Sequence, residues 1–167
     1  MTQQFLERVR EYHDRIAREE AGRIAAAARR IADCIGGGGL VHVTGPGGHS
    51  MLAAEECFYR AGGFVPIDAI LDDGFWLGAG AARSTRIERT PGYTKAILDG
   101  YPLRRGDVLM IVNAYGVNAA TIDAAAEGRA RGLATIGVTF RRTFCRARRR
   151  CSTTCGRSTR PPSAGSS

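Results

Sequence analysis

Residues 40–50, Leu-Val-His-Val-Thr-Gly-Pro-Gly-Gly-His-Ser, constrain this chain more than any other stretch. Alternation over Leu40–Thr44 predicts a strand, and Gly45, Gly47 and Gly48 with Pro46 predict a tight turn. Ser50 is placed to cap a helix over Met51–Arg60. A strand that runs through glycines into a helix is a device for holding an anion. The glycines admit a ligand to the backbone, and the free N–H groups of the first helical turn carry partial positive charge. Such a unit needs a sheet to lie in and a helix to lie on it.

The rest of the chain supplies both. Apolar residues at Phe5, Leu6, Val9, Tyr12, Ile16, Ile24, Ala28, Ile31 and Ile35 follow a helical period, so residues 3–35 read as one long helix with a break near Gly22, stopped by Gly36–Gly39. Its length suits a subunit contact or a solvated helix lying on the sheet. Phe64–Asp68 reads as a second strand, and residues 71–94 as an irregular segment of the length that usually carries function. A short helix at Lys95–Asp99, a strongly apolar strand at Val108–Val112, a helix at Ala119–Arg131 and a strand at Leu133–Thr139 complete the alternation. Strands alternating with helices predict a parallel α/β sheet with right-handed crossovers.

Charge locates the end of this pattern. The net charge of +8 invites nucleic acid, yet eight of the 24 basic residues, and none of the 16 acids, fall in 141–167. The body is therefore neutral, and a nucleic-acid partner is not expected. No apolar run reaches membrane-spanning length, and the charged first 20 residues hold no secretory signal. A cytoplasmic protein with reduced cysteines is expected, with no membrane partner. Residues 141–167 have the composition of disorder, or of a GC-rich gene translated out of frame. Their Cys145, Cys151 and Cys155 lack the paired spacing of a zinc site.

The first loop admits two readings. Gly45-Pro46-Gly47-Gly48 resembles the opening of a dinucleotide fingerprint, with Asp68 about where a ribose-binding acid belongs, but Ser50 replaces the third glycine. A second loop, Asn113-Ala114-Tyr115-Gly116-Val117-Asn118, also follows a strand. The two would meet at the carboxyl edge of the sheet. There Asn113 and Asn118 can hydrogen-bond a polyol, or simply turn the chain and cap a helix, and Gly116 permits close approach.

Taken together, Thr-Gly-Pro-Gly-Gly-His-Ser at 44–50, Ala-Glu-Glu at 54–56, Tyr-Arg-Ala-Gly-Gly at 59–63, Glu88-Arg89, Gly-Asp-Val-Leu at 106–109, Asn113 to Asn118 and Gly137-Val138-Thr139 resemble the SIS (sugar isomerase) domain. The resemblance runs from about Phe5 to Thr139, so residues 1–140 read as one SIS-type domain. It implies a flavodoxin-like, Rossmann-like parallel sheet of five strands flanked by helices, usually dimerised. It also implies binding of phosphorylated sugars with neither metal nor cofactor. By that likeness Gly45, Gly47, Gly48, His49 and Ser50 line the sugar site, while Asn113 to Asn118, with Thr139, cradle the phosphate. The family's Ser-x-Ser-Gly hydroxyls are missing here, since Ala114 and Tyr115 stand in the second loop. That weakens phosphate binding or points to a differently derivatised sugar. The resemblance ends where the basic tail begins, which leaves the fifth strand and final helices unaccounted for and the domain incomplete at its C-terminus.

Catalysis in such a site needs a base. Glu55, Glu56 and Glu88 are the available carboxylates and His49 the available imidazole. An aldose–ketose phosphosugar isomerase is the first expectation. A phosphosugar-sensing module without chemistry is the second, and an NAD-binding Rossmann-like protein the third.

Overall fold

The computed structural model of the protein describes residues 2–140. The tail at 141–167, with its three cysteines and the disordered or out-of-frame reading, lies outside the described residues. Four parallel strands form one sheet in the order β2-β1-β3-β4: β1 Val41–Thr44, β2 Ile67–Ile70, β3 Val108–Val112 and β4 Ala134–Val138. Val41 stands opposite Ile67 and Val108, and Val108 opposite Ala134. This is the expected α/β architecture, with four of the five anticipated strands among the described residues.

Among the described residues six helices accompany the sheet: α1 Thr2–Glu19, α2 Ala21–Gly36, α3 Met51–Cys57, α4 Ala81–Ile87, α5 Tyr93–Asp99 and α6 Ala119–Ala130. Alternation along each strand divides the core in two. Val41, Val43, Ala69 and Val108 face Ile31, Cys34, Ile35 and Ala54 on α2 and α3. Ile70, Leu109, Ile111 and Leu133 face Ile97 and Leu98 of α5 and Ala124 of α6. Contact with α6 is close because Gly128 has no side chain: a Cβ there would stand 2.8 Å from Leu109 Cδ2 and 2.9 Å from Thr135 Cγ2. No helix among the described residues is long and apolar enough to cross a membrane.

Local structure refines the expectations at three places. The N-terminal helix breaks as expected, at Glu20 rather than Gly22, and the Glu20 carbonyl accepts from Arg23 and Ile24 and so restarts the ladder as α2. Only α2 reaches the sheet, through Ile31, Cys34 and Ile35, while α1 buries none of its side chains. The second strand starts at Ile67 rather than Phe64. Pro66 has no N–H for a ladder, although its carbonyl accepts from Val41 N at 3.0 Å, and Phe64 and Val65 before it are 75% and 96% exposed. The segment expected to be irregular holds a 3₁₀ turn at Leu77–Ala79 and α4.

Candidate functional site

The strand order reverses between β1 and β3, so the loops leaving their carboxyl ends lie side by side, where open α/β sheets make their ligand sites. The first loop, residues 45–50, is compact. A Cβ on Gly45 would collide with the Ser50 carbonyl, and one on Gly48 would collide with the Leu77 side chain. Gly47 matters most. Its φ of +147° is a conformation that other residues resist, and a Cβ would lie 2.7 Å from Glu88 Oε2 and about as near as van der Waals contact to the Asn113 and Asn118 amides.

The second loop is tied to the first through the Pro46 carbonyl and the Ser50 hydroxyl. Asn113 Nδ2 and Asn118 Nδ2 both donate to the Pro46 carbonyl, at 3.2 and 3.0 Å. Asn113 Nδ2 also donates to Ser50 Oγ at 3.3 Å, while its Oδ1 accepts from the N–H groups of Tyr115 and Gly116 at 3.0 and 2.7 Å. Asn118 Oδ1 caps α6 by accepting from Thr121 N at 2.9 Å, and its Nδ2 faces Glu88 Oε2 at 3.5 Å. The Glu88 carbonyl accepts from Ala120 N at 3.0 Å. Each amide spends both its donors and its oxygen inside the protein. The polyol-binding reading of Asn113 and Asn118 therefore yields to a bracing one.

Four groups around this brace keep free bonding capacity. The Ser50 hydroxyl accepts from Asn113 and retains its own proton to donate. Thr139 Oγ1 is buried without a hydrogen-bond partner among the described residues, 2.7 Å from where a Cβ of Gly116 would stand. The N–H groups of Gly48, His49 and Ser50 make no hydrogen bond among the described residues. Glu88 is half-buried, with its carboxylate at Gly47. His49, Ala114 and Tyr115 are exposed, Tyr115 to 68%.

Glu55 and Glu56 are not brought to this cluster. Both lie on the exposed side of α3, opposite buried Met51 and Ala54, and Glu56 is ion-paired with Arg60. The segment 71–94 covers the first loop with Leu77, Ser84 and Glu88. It is braced by Ser84 Oγ donating to Phe75 O at 2.8 Å and by Tyr93 Oη donating to Asp72 Oδ1 at 2.8 Å. Burial, then the neighbouring Asp72 carboxylate, pushes the Tyr93 phenol up from its ordinary range.

A second polar cluster lies deeper in the sheet, and sequence reasoning missed it. His42 is fully buried, with Nδ1 2.8 Å from Asp68 Oδ2 and Nε2 3.3 Å from Asp107 Oδ2. Asp107 also accepts from Leu40 N at 3.0 Å and Arg104 N at 2.9 Å. Burial pushes the Asp107 carboxyl up, but the two backbone donors and His42 outweigh it and hold the group below the usual carboxylate range. Asp68 is thus engaged by His42, two residues short of the carboxyl end of β2, so the NAD reading loses the acid it was built on. Among the described residues no set of three or more His, Cys, Asp and Glu side chains is disposed to hold a metal ion.

Comparison with known proteins adds the wider setting. The SIS domain, as a family profile, matches residues 4–139. A UPF0309 protein of Halalkalibacterium halodurans is 37% identical over 139 residues, covering 83% of this chain and 55% of its own length. A UPF0309 protein of Brucella anthropi is 43% identical over 136 residues, with 78% and 56% covered. The chain spans about half the length of the curated relatives it matches. Among solved structures, a phosphoheptose isomerase from Francisella tularensis superposes with a TM-score of 0.64 at 20% identity, covering 83% of this chain and 72% of that one. One from Neisseria gonorrhoeae gives a TM-score of 0.54 at 23% identity, with 81% and 75% covered. At that identity the likeness is one of fold.

Proposed function

The chain belongs to the SIS domain family, and from that premise we propose that residues 1–140 form a domain that binds a phosphorylated or otherwise derivatised sugar between the first and second loops. The observation that carries this reading is the convergence of Glu88, Asn113 and Asn118 on the side-chain-free Gly47, beside the unspent Ser50 and Thr139 hydroxyls. The names of the solved neighbours agree with a sugar phosphate as ligand. The free N–H groups of the first loop suit an anionic substituent, and the hydroxyls suit sugar oxygens.

In this reading the reaction is an aldose–ketose isomerisation of the open-chain sugar. Glu88 takes a proton from the carbon beside the carbonyl and returns it to the former carbonyl carbon, while a hydroxyl proton passes between the two oxygens. Glu55 and Glu56, turned outward on α3, take no part in it. A single carboxylate at the cleft also favours a second reading, a phosphosugar-sensing module that binds and never turns its ligand over. The exposed apolar side chains Phe5, Leu6, Tyr12, Ile16 and Ile24 of α1 and α2 support a homodimer.

Thermal unfolding with hexose, pentose, heptose and amino-sugar phosphates, each paired with its unphosphorylated sugar, tests the binding claim. One member should raise Tm, since a ligand selective for the folded state stabilises it. A Tm unmoved by every member would sink the reading. Proton NMR of the same mixtures separates the isomerase, which converts its ligand, from the sensor, which leaves it intact.

A further inference from the structure

The geometry points to Asn118 as a positioning residue for Glu88, which aims that carboxylate at the first loop instead of touching the ligand itself. The inference rests on the sugar-binding reading only for what Glu88 then does.

Two attachments and one opening converge on Glu88. Its carbonyl is held by Ala120 N–H in the first turn of α6. Its carboxylate meets the Asn118 amide, which lies 3.5 Å away and carries a donor on that side. The space in front of it is kept open by Gly47, where any side chain would push Oε2 aside. Asn118 is itself anchored at both ends of its amide, since its oxygen caps α6 and its second amide proton goes to the Pro46 carbonyl. One side chain therefore fixes three things at once: the start of α6, the crest of the first loop and the direction of Glu88.

The residue type follows from those duties. Asp or Ser would cap the helix as well as Asn does. Neither offers two amide protons at this reach, one for a carbonyl and one for a carboxylate. A residue that only capped α6 would tolerate Asp here. A residue that faces Glu88 would not, because two carboxylates would then stand within hydrogen-bonding distance of each other.

The test uses the full chain without ligand. Asn118→Asp keeps the shape and the cap. The expected result is a Tm about 3–6 °C below wild type at pH 7. Adding Glu88→Gln should restore most of the loss at pH 7, since the new amide donates to Asp. Equal Tm values for Asn118→Asp and wild type, or a loss that Glu88→Gln leaves untouched, would overturn the inference.

Should Asn118→Asp not fold, Asn118→Ser takes its place. Its Tm loss should shrink in the Glu88→Gln background if the two side chains interact, and stay the same if they do not. The sugar-phosphate panel runs beside these variants. Coupling without any ligand response means that the proposed function fails and the positioning stands. A ligand response without coupling means the reverse.

Discussion

Two polar networks, one within the sheet and one in the loops at its carboxyl edge, are built on opposite plans. The deeper one joins His42 of β1 to Asp68, which stands opposite it on β2, and to Asp107, the residue just before β3. Its imidazole is fully buried, and both ring nitrogens are engaged. The outer one, Asn113 and Asn118 with Pro46, Ser50 and Glu88, is made by loops, and around it the Thr139 hydroxyl and three backbone N–H groups are left unspent among the described residues. A network that closes on itself holds a fold together. One that is rigid yet leaves bonding capacity over can hold a ligand. That difference, more than proximity or charge, separates the structural network from the proposed site.

The comparison is most easily broken at its inner member. His42→Ala leaves a cavity and removes a partner of the buried Asp107 carboxylate. A stability loss of about 3–5 kcal/mol is expected in urea unfolding, with a sugar-induced stabilisation that survives wherever the variant still folds. The same network predicts acid sensitivity. Because the Asp107 carboxyl is depressed in the folded state, its contribution is present above about pH 4, the unfolded value, and is lost as pH falls through the folded one. A plot of Tm against pH should therefore fall less steeply on the acid side for Asp107→Asn than for wild type. A parallel acid limb would mean that His42 and the two backbone donors do not hold the charge.

The outer network should respond the other way, with function lost before stability. Gly47→Ala meets both an unfavourable φ and the Glu88 carboxylate, and should cost about 1–3 kcal/mol while abolishing the sugar-induced rise in Tm. An unchanged ligand response would remove Gly47 from the site. The smallest effect is expected at Thr139. Thr139→Val replaces a buried, unpartnered hydroxyl with a methyl of the same shape, so the free protein should be no less stable, or more stable by up to about 1 kcal/mol. The ligand response should nevertheless weaken. A marked loss of stability without ligand would show the hydroxyl to be bonded within the fold, and the contrast between the networks would narrow.

How much of this was legible in advance differs by element. The apolar run Val108–Val112 emerged as β3 at its expected bounds, because a strand buried on both faces declares itself in composition. Asn118 marked the start of α6 through capping chemistry that acts within three residues. Phe64 and Val65 misled, since two apolar residues look like a strand until Pro66 is weighed against the ladder it would have to join. His42 gave no signal at all. It sits between Val41 and Val43 on the opposite face of β1, and its partners are 26 and 65 residues away.

The amino-acid sequence by itself determined the parallel α/β class, the two glycine loops at strand ends and the family, because period, capping and loop motifs are local and carry their meaning within a dozen residues. Only the tertiary structure decided which carboxylate reaches the cleft. Helical phase turned Glu55 and Glu56 outward, while the path of residues 71–94 over the first loop brought Glu88 to Gly47. Tertiary structure likewise decided that Asn113 and Asn118 are spent on Pro46 and that Asp68 belongs to His42. Each of those outcomes depends on strand register and on crossings between distant segments, and the spacing of residues along a chain does not contain them.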